Sequence, residues 1–96
     1  MERRIAVNGV ELSYVEHGSG APIVLLHGFP EYSYSWRKQI PALTAAGFRV
    51  IAPDLRGYNE SSKPADVASY RLLEVAKDIA ELRTVLEAYP TVVVGA

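Results

Sequence analysis

Cysteine is absent from the 96 residues, which excludes disulfide bridges and thiolate zinc sites. Histidine is scarce: His17 and His27 stand alone, too few for a histidine-built metal centre, so no metal is expected. No run approaches the roughly 18 consecutive apolar residues of a membrane span. The opening Met1-Glu2-Arg3-Arg4 leads into no apolar signal segment. The expectation is a cytoplasmic chain without membrane contact. Lys and Arg are scattered singly at a formal net charge of -1, leaving no basic stripe for nucleic acid. What is present, 49% hydrophobic and 22% charged residues, suits a core-forming globular chain. A chain this short buries only about 60 to 65% of its unfolded surface and is marginal alone. Residues 1–96 are therefore expected to be part of one larger domain.

Two β-prone runs, Arg3 to Val7 and Val10 to Val15, flank Asn8-Gly9, a dipeptide that tolerates positive φ at both centres of a tight turn. They predict a hairpin. After Gly18-Ser19-Gly20, the unbroken apolar run Pro22 to Leu26 predicts a strand covered on both faces. Trp36, Ile40, Leu43 and Ala46 recur at helical spacing from Ser35 to Ala46, with Pro41 able to kink or delay the helix and Gly47 placed to end it. Phe48 to Pro53 predicts a second buried strand, and Asp54 to Ser69 a long loop. Leu72, Val75, Ala76, Ile79, Leu82, Val85 and Leu86 make one helical stripe, with Glu74, Lys77, Asp78, Glu81 and Arg83 assigned to the other faces. Tyr89-Pro90 ends that helix, and Thr91 to Val94 opens a third buried strand. The order is that of an α/β protein: a hairpin, then strand, helix, strand, helix, strand in a mostly parallel sheet.

Ligands of parallel α/β sheets sit at the carboxyl ends of the strands, which directs attention to three junctions. They are His27-Gly28-Phe29-Pro30, Asp54-Leu55-Arg56-Gly57-Tyr58 and Gly95-Ala96. Gly28 permits close backbone approach; Pro30 fixes φ and lacks a donor, which is also what plain loop punctuation looks like. Phe29 can offer a main-chain N–H to an oxyanion or simply pack its ring under a loop, and the two roles are compatible. His27 is not assigned as a catalytic base, because no serine, cysteine or carboxylate partner is identifiable beside it. Asp54 and Arg56 are read as bracing their loop in preference to facing a substrate. Trp36 is read as a core residue over the loop and a lesser candidate for the substrate cavity. Tyr32 and Tyr34 could reach that cavity or lie on the surface.

His27-Gly28-Phe29-Pro30-Glu31 followed by Ser35-Trp36, with Ala52 to Tyr58 at the next strand end, resembles the epoxide hydrolases of the α/β-hydrolase superfamily. Ser61-Ser62-Lys63-Pro64, Tyr70 and Val92-Val93-Val94-Gly95 extend the match over the whole chain. The resemblance implies an enzyme that adds water to a small hydrophobic epoxide without a cofactor. It implies that the Phe29 N–H belongs to the oxyanion hole and that the bond before Pro30 is cis. It further implies that His27 is a structural hydrogen-bonder and that Asp54, Arg56 and Gly57 shape the pocket floor, with Phe29, Pro30 and Trp36 near the substrate.

A nucleophile elbow has the form Gly-x-nucleophile-x-Gly, and Gly95-Ala96 supplies its first two places. Residue 97 is expected to carry the nucleophile: aspartate in epoxide hydrolases and dehalogenases, serine in esterases. Ala96 stands where the family places a histidine, a departure that weakens the aspartate reading. Lid, acid and basic histidine are expected further on, so the 96 residues alone are expected to be inactive. Other readings are a fluoroacetate-dehalogenase-like enzyme, which shares His-Gly-Phe-Pro, an esterase, or a non-catalytic binder on the same fold. Haloalkane dehalogenases usually carry a polar halide-binding side chain where Phe29 stands, which argues against them.

Overall fold

Asn8 and Gly9, at φ +47° and +76°, form the tight turn between β1 (Glu2–Val7) and β2 (Val10–His17), with Val7 opposite Val10. Positive φ at both centres is the mirror-image turn whose twist matches that of the two strands. A computed structural model describes residues 2–27, 33–59, 61–88 and 92–95. Beyond the hairpin it contains β3 (Ala21–Leu26), α1 (Gln39–Ala45), β4 (Phe48–Pro53), α2 (Leu72–Val85) and β5 (Val92–Gly95). Short 3-10 turns at Ser33–Trp36 and Val67–Tyr70 precede the two α-helices.

The five strands form one sheet in the order β1-β2-β4-β3-β5. β3 is parallel to β4 and β5, whereas β2 is antiparallel to both β1 and β4. The element order follows the sequence expectation, and the sheet is evenly mixed because the hairpin docks through β2.

The uninterrupted apolar run of β3 and the mainly apolar β4, interrupted by Arg49, are explained by cover on both faces. Val24 and Ile51 point toward α2 and pack with Val7, Leu12, Tyr14, Ile79 and Leu82. Their neighbours Ile23, Leu25, Val50 and Ala52 point the other way and pack with Ile40 of α1. Alternate side chains of a strand face opposite sides, so a strand between two helices needs no polar alternation.

Two elements differ from expectation. The helix read from Ser35 to Ala46 splits into the 3-10 turn and α1, and Pro41 falls in the first turn of α1, where its missing N–H has no intrahelical partner to lose. β5, read as buried, leaves Val92 60%, Val93 45% and Val94 38% exposed. Among the described strands it is bonded only to β3, and an open apolar groove of about 320 Å³ lies between Val93, Leu26 and the Leu72 to Arg83 side of α2.

Candidate active site

β3, β4 and β5 run in the same direction, so their carboxyl ends share one edge of the sheet, with Leu26 level with Gly95. The chain passes from β3 outward to β4 and then returns across β3 to β5. The crevice of an open α/β sheet forms at such a reversal. His27 leaves β3 at this point. Gly28, Phe29 and Pro30, which by resemblance belong to the oxyanion loop, lie outside the described residues, as do Tyr32 and Ala96.

His27 is 4% exposed, and its Nε2 accepts a hydrogen bond from the Leu55 N–H at 3.0 Å. A main-chain amide only donates, so Nε2 presents its lone pair and the neutral ring carries its proton on Nδ1. The lone pair that a general base would use is therefore engaged. Tyr58 meets the same ring edge-on, with centroids 4.6 Å apart. Leu55 and Tyr58 are the ends of one β-turn, closed by Tyr58 N–H to Leu55 O at 3.0 Å. Gly57, at φ +89°, occupies the place where a type II turn requires positive φ. A Cβ there would also lie 2.6 Å from the Tyr70 ring, so Gly57 answers both a backbone and a packing demand.

Asp54 and Arg56 are both buried, at 1% and 4% exposure, and each is bonded to a different element. The Asp54 carboxylate accepts from Ser13 Oγ at 2.5 Å and from Asn59 Nδ2 at 3.0 Å. Arg56 places a two-pronged fork on Asp78 of α2, Nε to Oδ2 and Nη2 to Oδ1, both at 2.7 Å. Hydrogen bonding to Asp78 raises the Arg56 guanidinium above its ordinary value against the opposing effect of burial, with Asp78, Glu74 and Tyr70 adding in the same direction. Both loop residues thus have partners in the scaffold.

Asp78 was assigned to a face of α2 other than the apolar stripe, and the structure corrects this: it is 1% exposed. Val75, Asp78, Ile79 and Leu82 stand at i, i+3, i+4 and i+7, so the carboxylate lies inside the apolar stripe. That position was the signal that a buried cation had to meet it. Asp78 Oδ1 also accepts from Asn8 Nδ2 at 3.1 Å, and Glu81 accepts from the Asn8 N–H at 2.8 Å, which ties the hairpin turn to the same helix.

Past Pro53, β2 has no strand partner on its β4 side among the described residues, and the loop replaces one. Asp54 N–H donates to Ser13 O at 2.8 Å and Ser62 N–H to Glu11 O at 2.8 Å, while Ser61 Oγ and Ser62 Oγ each accept, at 2.9 Å, from Ser13 N–H and Glu11 N–H. Ser61 Oγ also donates to Asp54 O at 2.6 Å. Ser61→Ala would strand the buried Ser13 donor and is expected to cost about 1–3 kcal/mol of stability in urea unfolding, whereas Ser62→Ala, at a more exposed hydroxyl, should cost less.

Trp36 is half-buried and packs on the cluster of Ile23, Leu25, Ile40, Val50 and Ala52. Its Nε1 is buried without a hydrogen-bond partner among the described residues. Tyr34 is 58% exposed, with the Arg37 guanidinium over its ring at 4.4 Å. Among the described residues no helix is long and apolar enough to cross a membrane.

A model of the α/β-hydrolase fold family matches residues 21–96. The chain belongs to that family. Its likeness to epoxide hydrolases within the α/β-hydrolase fold runs the full length. It is 45% identical over 94 residues to an epoxide hydrolase of Caballeronia sordidicola, covering 98% of this chain and 29% of that protein. It is 49% identical over 96 residues to epoxide hydrolase A of Mycobacterium tuberculosis, covering 98% and 30%. The structure of an epoxide hydrolase from Vigna radiata superposes with a TM-score of 0.96 at 40% identity, over 99% of this chain and 30% of that one. The α/β-hydrolase segment thus spans about 30% of the length of these relatives.

Proposed function

We propose that residues 1–96 are the opening part of an α/β-hydrolase domain that adds water to a small hydrophobic epoxide. The observation that carries the reading is the whole-chain identity of 45 to 49% to proteins named epoxide hydrolase, reached with His27 held at the β3 exit by the Leu55 amide. In this reading an aspartate following Ala96 opens the epoxide: its carboxylate oxygen bonds to a ring carbon as the carbon–oxygen bond breaks and the ring oxygen takes a proton from an acid contributed by the chain beyond Ala96. Water then cleaves the resulting ester, and the Phe29 N–H helps to hold the negative charge that gathers on oxygen in that step. Phe29, Pro30 and Trp36 border the substrate, while His27, Asp54, Arg56 and Gly57 hold the loops in place. No cofactor takes part, the working site lies in the cytoplasm, and the 96 residues alone turn nothing over.

The test is product analysis with the full-length protein on a terminal aryl epoxide, a fluoroacetate and a simple ester. Diol formation is the expected result. Halide or ester cleavage with no diol would replace the epoxide assignment, and absence of all three activities would favour a binding role.

A further inference from the structure

We propose that Asp78 is a positioning residue for the β3 exit: through Arg56 it holds the Leu55–Tyr58 turn against His27, and so fixes the residue from which the Phe29 loop starts. The relevance to turnover rests on the function proposed above; the placement of His27 does not.

Each link has a defined geometry. The Asp78–Arg56 fork uses two bonds of 2.7 Å, which restrict the relative orientation of the groups as a single-point contact would not. Exposures of 1% and 4% leave little room for water to substitute for either partner. Arg56 is a central residue of the turn closed by Tyr58 N–H on Leu55 O, so holding its side chain also holds the peptide units on either side. One of these residues, Leu55, sends its N–H to His27 Nε2 at 3.0 Å, and the other end of the turn sets the Tyr58 ring 4.6 Å from the imidazole. His27 is two residues before Phe29. An error in the turn therefore reaches the strand exit through a hydrogen bond and a ring contact at once.

Asp78 also receives Asn8, so it has an ordinary stabilising role that must be separated from positioning. Asn8→Gly removes that second partner, tolerates the positive φ of the site and leaves the Arg56 fork intact. The full-length protein would be prepared as wild type, Asp78→Asn, Asn8→Gly, His27→Gln and the Asp78→Asn/His27→Gln double variant. Two readouts apply: the imidazole nitrogen resonances of His27, and kcat and KM for epoxide hydration.

Asp78→Asn is expected to shift the His27 Nε2 resonance and to lower kcat roughly 10- to 100-fold, the scale of a small misplacement near reacting groups. KM should change less than about threefold, and the double variant should be little worse than either single one. Asn8→Gly should lower the unfolding midpoint while leaving the His27 resonances and kcat in place. An unmoved His27 signal in Asp78→Asn would overturn the proposal, as would kcat losses that multiply in the double variant. If Asp78→Asn does not fold, Arg56→Lys, which keeps the charge and loses the fork, answers the same question. A wild-type protein inactive on epoxides would count against the function above, while the His27 resonances would still decide the positioning role.

Discussion

Asp78→Ala should lower the unfolding free energy of the full-length protein by about 3–5 kcal/mol. The substitution takes the Asp78 partner from both prongs of the Arg56 fork at 4% exposure, and it removes one of the acceptors of the Asn8 side-chain amide, which keeps Glu74. Removing one partner of a buried pair exposes the full desolvation cost of the other, which in the intact pair is offset by attraction and by two charge-assisted bonds. A second substitution supplies the check. Adding Arg56→Met to Asp78→Ala removes the stranded charge and should recover part of the loss, so the double variant is more stable than Asp78→Ala alone. Urea midpoints of wild type, Asp78→Ala and the double variant measure this, and a double variant no more stable than Asp78→Ala would refute it. Because Arg56 titrates above its ordinary value, its contribution is fully present below that ordinary value and is lost only as pH rises through the raised one. Titration of the arginine therefore removes none of it near neutrality.

Phe29→Pro is expected to reduce kcat for epoxide hydration roughly 100- to 1000-fold, equivalent to about 3–4 kcal/mol of barrier, with a much smaller effect on KM. Proline deletes the one main-chain donor that the proposed site takes from this loop, and in the proposed mechanism that donor acts on charge that develops during reaction and is absent from the bound substrate. Phe29→Leu keeps the amide and trims only the ring, so it should retain most of kcat and raise KM if the ring lines the cavity. A Phe29→Pro enzyme within tenfold of wild type, folded by its urea midpoint, would remove the amide from the mechanism. Equal damage from proline and leucine would move the function of residue 29 from backbone to side chain.

Legibility followed the locality of each interaction. Asn8-Gly9 announced the hairpin because two adjacent positive φ values are a local steric matter. The runs Pro22 to Leu26, apolar throughout, and Phe48 to Pro53, apolar apart from Arg49, announced buried strands because apolar residues at successive positions require cover on both faces, and α1 and α2 supply it. The same reasoning failed at Val92 to Val94, where apolar composition states a need for cover and not its presence. Asp78 was misplaced because a charged residue was assigned to a face away from the apolar stripe although its spacing put it within it. The remedy was available in the register, but its partner, Arg56, stands 22 positions away and no local pattern joins them.

By itself, then, the sequence determined the order of elements, the hairpin turn, the two covered strands and the strand ends at which chemistry belongs, all consequences of backbone sterics and short-range periodicity. The tertiary structure alone decided that β2 docks antiparallel on β4, that serine hydroxyls continue the ladder beyond Pro53, and that Asp78, Arg56, Leu55 and His27 form one chain of contacts. Those features depend on which distant groups are desolvated together, and the cost of leaving a buried donor or charge unmatched is set only when the elements come into contact.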